Sequence, residues 1–248
     1  MFVLITIAGR QGALTILTVI FNVVVFAIGF WKAGDTSNVL EMCSRLVILF
    51  AVITLVGLNG IHKKTWAALF TTLIVLVMIM GIFDVVIHHA EDLDYSTMEY
   101  LGSIENPDEI FHAEILISGL GAIMDVAVAI AASLSEIVEK KPKVTFLELF
   151  KSGREIGYDI MGTMINVLLF VFSCGLIPMC LIRMNNDVSL ITIIKLHIPC
   201  ELCRFLVESI GIVLAIPISI LVTSVMIKVP GMFHRQKKAR KVQGEGKC

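Results

Sequence analysis

The chain has 248 residues, of which 57% are hydrophobic and only 17% charged, with a formal net charge of −1. Soluble domains carry about 25% charged residues, so this composition, with a mean hydropathy of +0.90, excludes a water-soluble domain of any size. The net charge says little about partners because the charges are sorted along the chain, and no nucleic-acid partner is expected.

Apolar runs long enough to cross about 30 Å of hydrocarbon lie at 13–31, 38–58, 66–87, 112–137, 160–182 and 203–228. The expected fold is all-α: a polytopic membrane bundle of about six transmembrane helices. A single domain over 1–230 is followed by a basic tail over 231–248. Met1–Ala8 is apolar but too short and without a basic flank for a cleavable signal, and it runs through Gly9-Arg10-Gln11-Gly12 into the first span.

Span three ends in Asp84 and His88, one helical turn apart, before an acidic loop over 90–110 that contains no Lys or Arg. His112 and Glu114 flank the same loop. Imidazoles beside carboxylates can ligate zinc or manganese, so Asp84, His88 and His112 are candidate metal ligands. A merely solvated acidic loop is the alternative.

Span four holds Ser118, Ala122, Asp125, Ala129 and Ser133 on one helical face. An Asp at mid-bilayer costs about 2.5–3.5 kcal/mol on insertion scales unless it faces protein, water or an ion. The basic stretch 138–159 follows, and Val144–Phe150 reads as a short interfacial helix. Gly153, Gly157 and Gly162 punctuate the entry into span five, where Asp159, Thr163, Asn166, Phe170 and Ser173 form a second polar stripe. With Asp125 these residues suggest a polar pocket between spans four and five, substrate-binding through Asp125, Asp159, Thr163, Asn166, Gly157 and Gly162. Simple interhelical hydrogen bonding, at about 0.6 kcal/mol per contact, is the competing explanation.

Residues 188–198 are apolar but too short to span and read as interfacial or re-entrant. Span six carries Glu201, Arg204 and Glu208, spaced so that Arg204 can pair with either acid. The Cys200-Glu-Leu-Cys203 spacing fits redox chemistry or plain packing. The tail His234–Lys241 is basic, suited to anionic lipid. The side holding both termini carries 15 of the 20 Lys and Arg residues, which by the positive-inside rule predicts cytoplasmic termini and an external acidic loop. No phosphate loop, nucleophile elbow or dinucleotide fingerprint is present, so no enzyme is expected.

Two stretches, Gly121-Ala-Ile-Met-Asp125-Val-Ala127 and Ser152-Gly with Gly157-Tyr-Asp159, Gly162-Thr-Met and Asn166, resemble the signature segments of the YibE/YibF-like family of bacterial multi-pass membrane proteins. The resemblance runs from about residue 9 to Ile227, and its pattern implies Gly121 as a further substrate-binding residue. It implies a bacterial plasma-membrane protein whose relatives are frequently paired as YibE- and YibF-like members, hence a homo- or hetero-oligomer with a YibE/F-type partner. Ala129 and Ala132 stand where the family usually has Ser, Tyr158 where it has a basic residue, and Ile165 and Val167 where it has Thr. These departures remove hydroxyls from the stripes and fit a subunit that shares its site with a more polar partner, or one that has lost the site. The function expected is a permease, or a permease subunit, for a cation or small polar solute. The alternative is a non-transporting scaffold that packs against a paired membrane protein.

Overall fold

The computed structural model describes residues 2–33, 39–89, 107–141, 144–196 and 198–228. Seven helices follow in order: α1 (Phe2–Ala33), α2 (Val39–Asn59), α3 (Lys63–His89), α4 (Pro107–Lys140), α5 (Phe146–Asn185), α6 (Leu190–Leu196) and α7 (Ile198–Lys228). No strand occurs among the described residues. Six of the helices, all but α6, are long and apolar enough to cross a membrane, as the hydropathy pattern requires. The basic tail and the acidic loop over 90–106 lie outside the described residues.

Three helices form the centre of the bundle. α3, α4 and α7 pack on one another, α2 lies against α4 and α3, and α5 lies against α7 and α4. α1 packs on α2, where Asn22 Nδ2 donates to Thr54 Oγ1 at 2.8 Å. Ile79, Ile123 and Ile212 are fully buried at the three-helix centre. Gly211 permits the close approach there, because a Cβ at that position would collide with Ile79.

Contacts fix the relative directions. Glu114, Ser118 and Ala127 of α4 meet Arg204, Glu208 and Ser219 of α7 respectively. The numbers rise together, so α4 and α7 run parallel. Gly153 meets Ile220 whereas Gly157 meets Ile216, so α5 runs antiparallel to α7. Asp84 near the end of α3 contacts His112 near the start of α4, so α3 runs antiparallel to α4, and Lys63, Lys64, Lys140 and Lys141 share one side of the bundle, called here the basic side. Asp84 and His112 mark the opposite, acidic side.

One local finding differs from the sequence reading. The stretch 144–150 is not a separate interfacial helix; it forms the first turns of a single 40-residue α5. A capping box starts that helix, Glu148 N–H donating to Thr145 Oγ1 at 3.4 Å and Thr145 N–H to Glu148 Oε2 at 3.1 Å. Gly153 and Gly157 do not interrupt it, because each accommodates an α7 isoleucine in place of its own side chain. At the other end of the chain, the first residues are helical and join the first span through Gly9, whose φ of 53° and ψ of −126° put a kink inside α1. The stretch 190–196 is a short helix of its own, as expected for a segment too short to span.

Candidate functional site

α4 sorts its residues by helical face. Ile123, Val126, Ala127, Ile130, Ala131 and Leu134 are buried toward the bundle. The opposite face presents Ser118, Gly121 and Asp125, all exposed on the single chain. Asp125 sits at the centre of that open face, midway along the α4 span. Among the described residues it has no hydrogen-bond or ion-pair partner.

α5 divides in the same manner. Leu149, Gly153 and Gly157 are its buried residues. Asp159, Gly162, Thr163 and Asn166 face outward. Gly157, expected in the pocket wall, is buried against Ile216 instead, because a residue two positions from Asp159 lies on the opposite side of a helix. Thr163 Oγ1 donates to Ile160 O at 2.8 Å and Asn166 Nδ2 to Gly162 O at 2.7 Å, so both are satisfied by their own helix. Asp159, like Asp125, has no partner among the described residues.

Leu134 packs beside the Gly153 position. Counting about 1.5 Å per residue in opposite directions from that contact brings Asp125 to the height of Gly162 and Thr163, with Asp159 roughly one turn toward the basic side. The two expected stripes thus share a depth, but a single chain leaves both open. Nothing lies within 4 Å of a Cβ built on Gly121 or Gly162, so another helix can approach closely there.

A second polar group lies in the acidic half of the α4–α7 seam. Arg204 bridges two helices, pairing with Glu201 at 2.6 Å and with Glu114 of α4. Glu208, expected as an alternative partner of Arg204, instead contacts the Ser118 hydroxyl and is only 6% exposed. Sequence reasoning found the α7 triplet but missed Glu114 and Ser118 as its partners. Their spacing of four on α4 was a legible signal; that α4 neighbours α7 was not.

At the acidic end, His112 Nε2 lies 2.7 Å from Asp84 Oδ1 and Nδ1 lies 2.6 Å from the Asp108 carbonyl. Phe83 meets the imidazole edge at 4.7 Å between centroids. The anticipated metal trio is not assembled: among the described residues no three His, Cys, Asp or Glu side chains converge to hold an ion, so His88 does not join Asp84 and His112 as a third ligand. Packing of His112 on Phe83 and on the α4 backbone commits the ring to the α3–α4 contact. Cys200 is buried and Cys203 half-buried.

The model of the YibE/F-like protein family matches residues 1–229. The chain belongs to the YibE/F-like family. The match spans all six membrane-length helices of this YibE/F-like protein, including both polar stripes and the α4–α7 seam. Family membership and the multi-span fold together make it an integral membrane protein. No curated protein and no solved structure matches it.

Proposed function

We propose that this YibE/F-like protein is a permease, or the membrane subunit of one, for a cation or small polar solute. It works as a homo- or hetero-oligomer with a YibE/F-type partner in the bacterial plasma membrane, both termini in the cytoplasm. The observation that carries the reading is Asp125, unpartnered on an open helix face at mid-span. Lipid alone against an Asp at that depth costs about 2.5–3.5 kcal/mol, whereas a neighbouring subunit converts the open face into the wall of a crevice. Asp125 and Asp159 supply negative charge at adjacent depths, and the outward Thr163 and Asn166 oxygens keep lone pairs for a guest. The work is binding and release, without bond-making chemistry, and the basic tail holds the chain against anionic lipid.

Purified protein in sealed lipid vesicles tests this reading by flux of protons, sodium, potassium, magnesium and manganese under imposed gradients. Asp125→Asn is expected to abolish the flux that the unaltered protein supports. Flux unchanged by that substitution overturns the mechanism.

The open, unobstructed Gly121 and Gly162 positions favour a second reading, a scaffold docking a partner through small-residue faces. Under it, Ala122→Leu or Ala129→Leu breaks co-purification with a paired membrane protein, and Asp125→Asn is tolerated.

A further inference from the structure

The Ser118–Glu208 contact carries a proton count that sequence spacing does not reveal. Ser118 Oγ lies 2.8 Å from the Glu114 carbonyl oxygen, which can only accept. The same oxygen contacts Glu208 Oε1. A serine hydroxyl has one hydrogen, so an ionised Glu208 would have to share it with the carbonyl in a weaker three-centre bond. Both contacts are full hydrogen bonds when Ser118 donates to the carbonyl and Glu208, as a carboxylic acid, donates to Ser118.

Charge balance leads independently to the same arrangement. The seam holds three carboxylates, Glu114, Glu201 and Glu208, against one guanidinium. Arg204 is engaged by the first two, and among the described residues no basic side chain is paired with Glu208. Glu208 is also the most buried of the three, at 6% exposure within a membrane-length helix. Arg204, one turn away on α7, acts on Glu208 only across space, its direct pairs being Glu114 and Glu201, and a neutral carboxyl group costs less to bury than a charged one. The other charged or titratable groups toward that half of the packed elements are Asp84 and His88 on α3, Asp108, Glu109, His112 and, deeper, Asp125 on α4, Arg183 on α5 and Lys195 on α6.

We propose that Glu208 is a proton-binding site of this protein, loaded from the acidic side of the membrane and read by Ser118. The proton comes from water on that side; binding it neutralises the carboxylate, and its release restores the negative charge. Ser118 lies two turns from Asp125 on the same α4 face, so the site stands between the acidic side and the mid-span aspartate. The coupling role rests on the permease reading, whereas the protonation itself does not.

Infrared spectroscopy of the full-length protein in lipid vesicles tests the proposal without a flux measurement. At neutral pH the unaltered protein is expected to show the carbonyl stretch of a protonated carboxyl group, and Glu208→Gln to lose it. Ser118→Ala should shift the frequency of that band by removing its hydrogen-bond partner, while Glu114→Gln leaves the band present. Raising the pH of the medium should remove the band reversibly. With Asp125→Asn as the common background, absence of any such band, or an undiminished band in folded Glu208→Gln, overturns the proposal. If Glu208→Gln does not fold, an unmoved band in Ser118→Ala does so. Lost flux with an intact band, or the reverse, separates this site from the permease reading.

Discussion

Two regions of α4 carry the same kinds of side chain and reach opposite outcomes. Toward the acidic side, Glu114 and Ser118 meet Arg204 and Glu208 of α7, and every one of these groups has a partner on another helix. Two turns deeper, Asp125 shares the same helical face and meets nothing among the described residues. The contrast shows that a polar residue in a membrane helix has no fixed meaning; the neighbouring helix at that depth decides it. Where α7 presents matching groups the stripe becomes a structural seam, and where α5 has turned its polar face outward the stripe stays open for something outside the chain.

The seam loses most when the guanidinium shared by Glu114 and Glu201 is removed. Arg204→Met should leave Glu114 and Glu201 without a counter-charge and lower stability by roughly 2–3 kcal/mol, less than the 3–5 kcal/mol of a fully buried pair because Glu114 remains 42% exposed. Unfolding in mild detergent measures it, and an unchanged midpoint would show that the bridge contributes nothing.

The two α5 glycines sharpen the contrast between packed and open faces. Gly157→Ala forces a methyl group into Ile216 and should cost about 1–3 kcal/mol by overpacking. Gly162→Ala meets open space and should leave the isolated chain as stable or slightly more so, since Ala favours helix by up to about 1 kcal/mol. Equal losses at both positions would mean that α5 does not divide its faces as described.

The smallest effect is expected at the rim. Asp84 is largely exposed although His112 is not, so Asp84→Asn should change stability by no more than about 1 kcal/mol. That loss should disappear at high salt, where exposed ion pairs are screened; a larger, salt-insensitive loss would place the pair in the core of the α3–α4 contact.

Much of the fold is legible without coordinates, for a physical reason. A membrane-length apolar run has to satisfy its backbone internally, so hydropathy alone identifies a spanning helix. The six spans over 13–228 are accordingly present, with boundaries shifted by a few residues at most ends. The large exception is α5, which starts 14 residues before the apolar run at 160. A capping box and two glycines that look like helix breaks are, in the bundle, the start of a helix and two points of close contact with α7.

The candidate site was legible in kind but not in arrangement. Spacing placed Asp125 on a stripe with Ser118, and Asp159 with Thr163 and Asn166, as the helical faces confirm. Spacing also offered Arg204 two acids on its own helix, and the structure used one of them, Glu201, together with Glu114 ninety residues away. Periodicity within a helix reports which residues share a face, but it carries no information about which helix that face will meet.

The sequence by itself determined the solvent of this protein, its six crossings, its family resemblance and the residues that line each polar stripe. These follow from hydropathy and a helical repeat of 3.6 residues, both local properties of the chain. Only the tertiary structure decided that α4 runs parallel to α7, that Ser118 stands between the Glu114 carbonyl and Glu208, and that Asp125 is left facing outward. Those outcomes depend on close approaches at Gly153, Gly157 and Gly211, where the absence of a side chain on one helix sets the register of its neighbour.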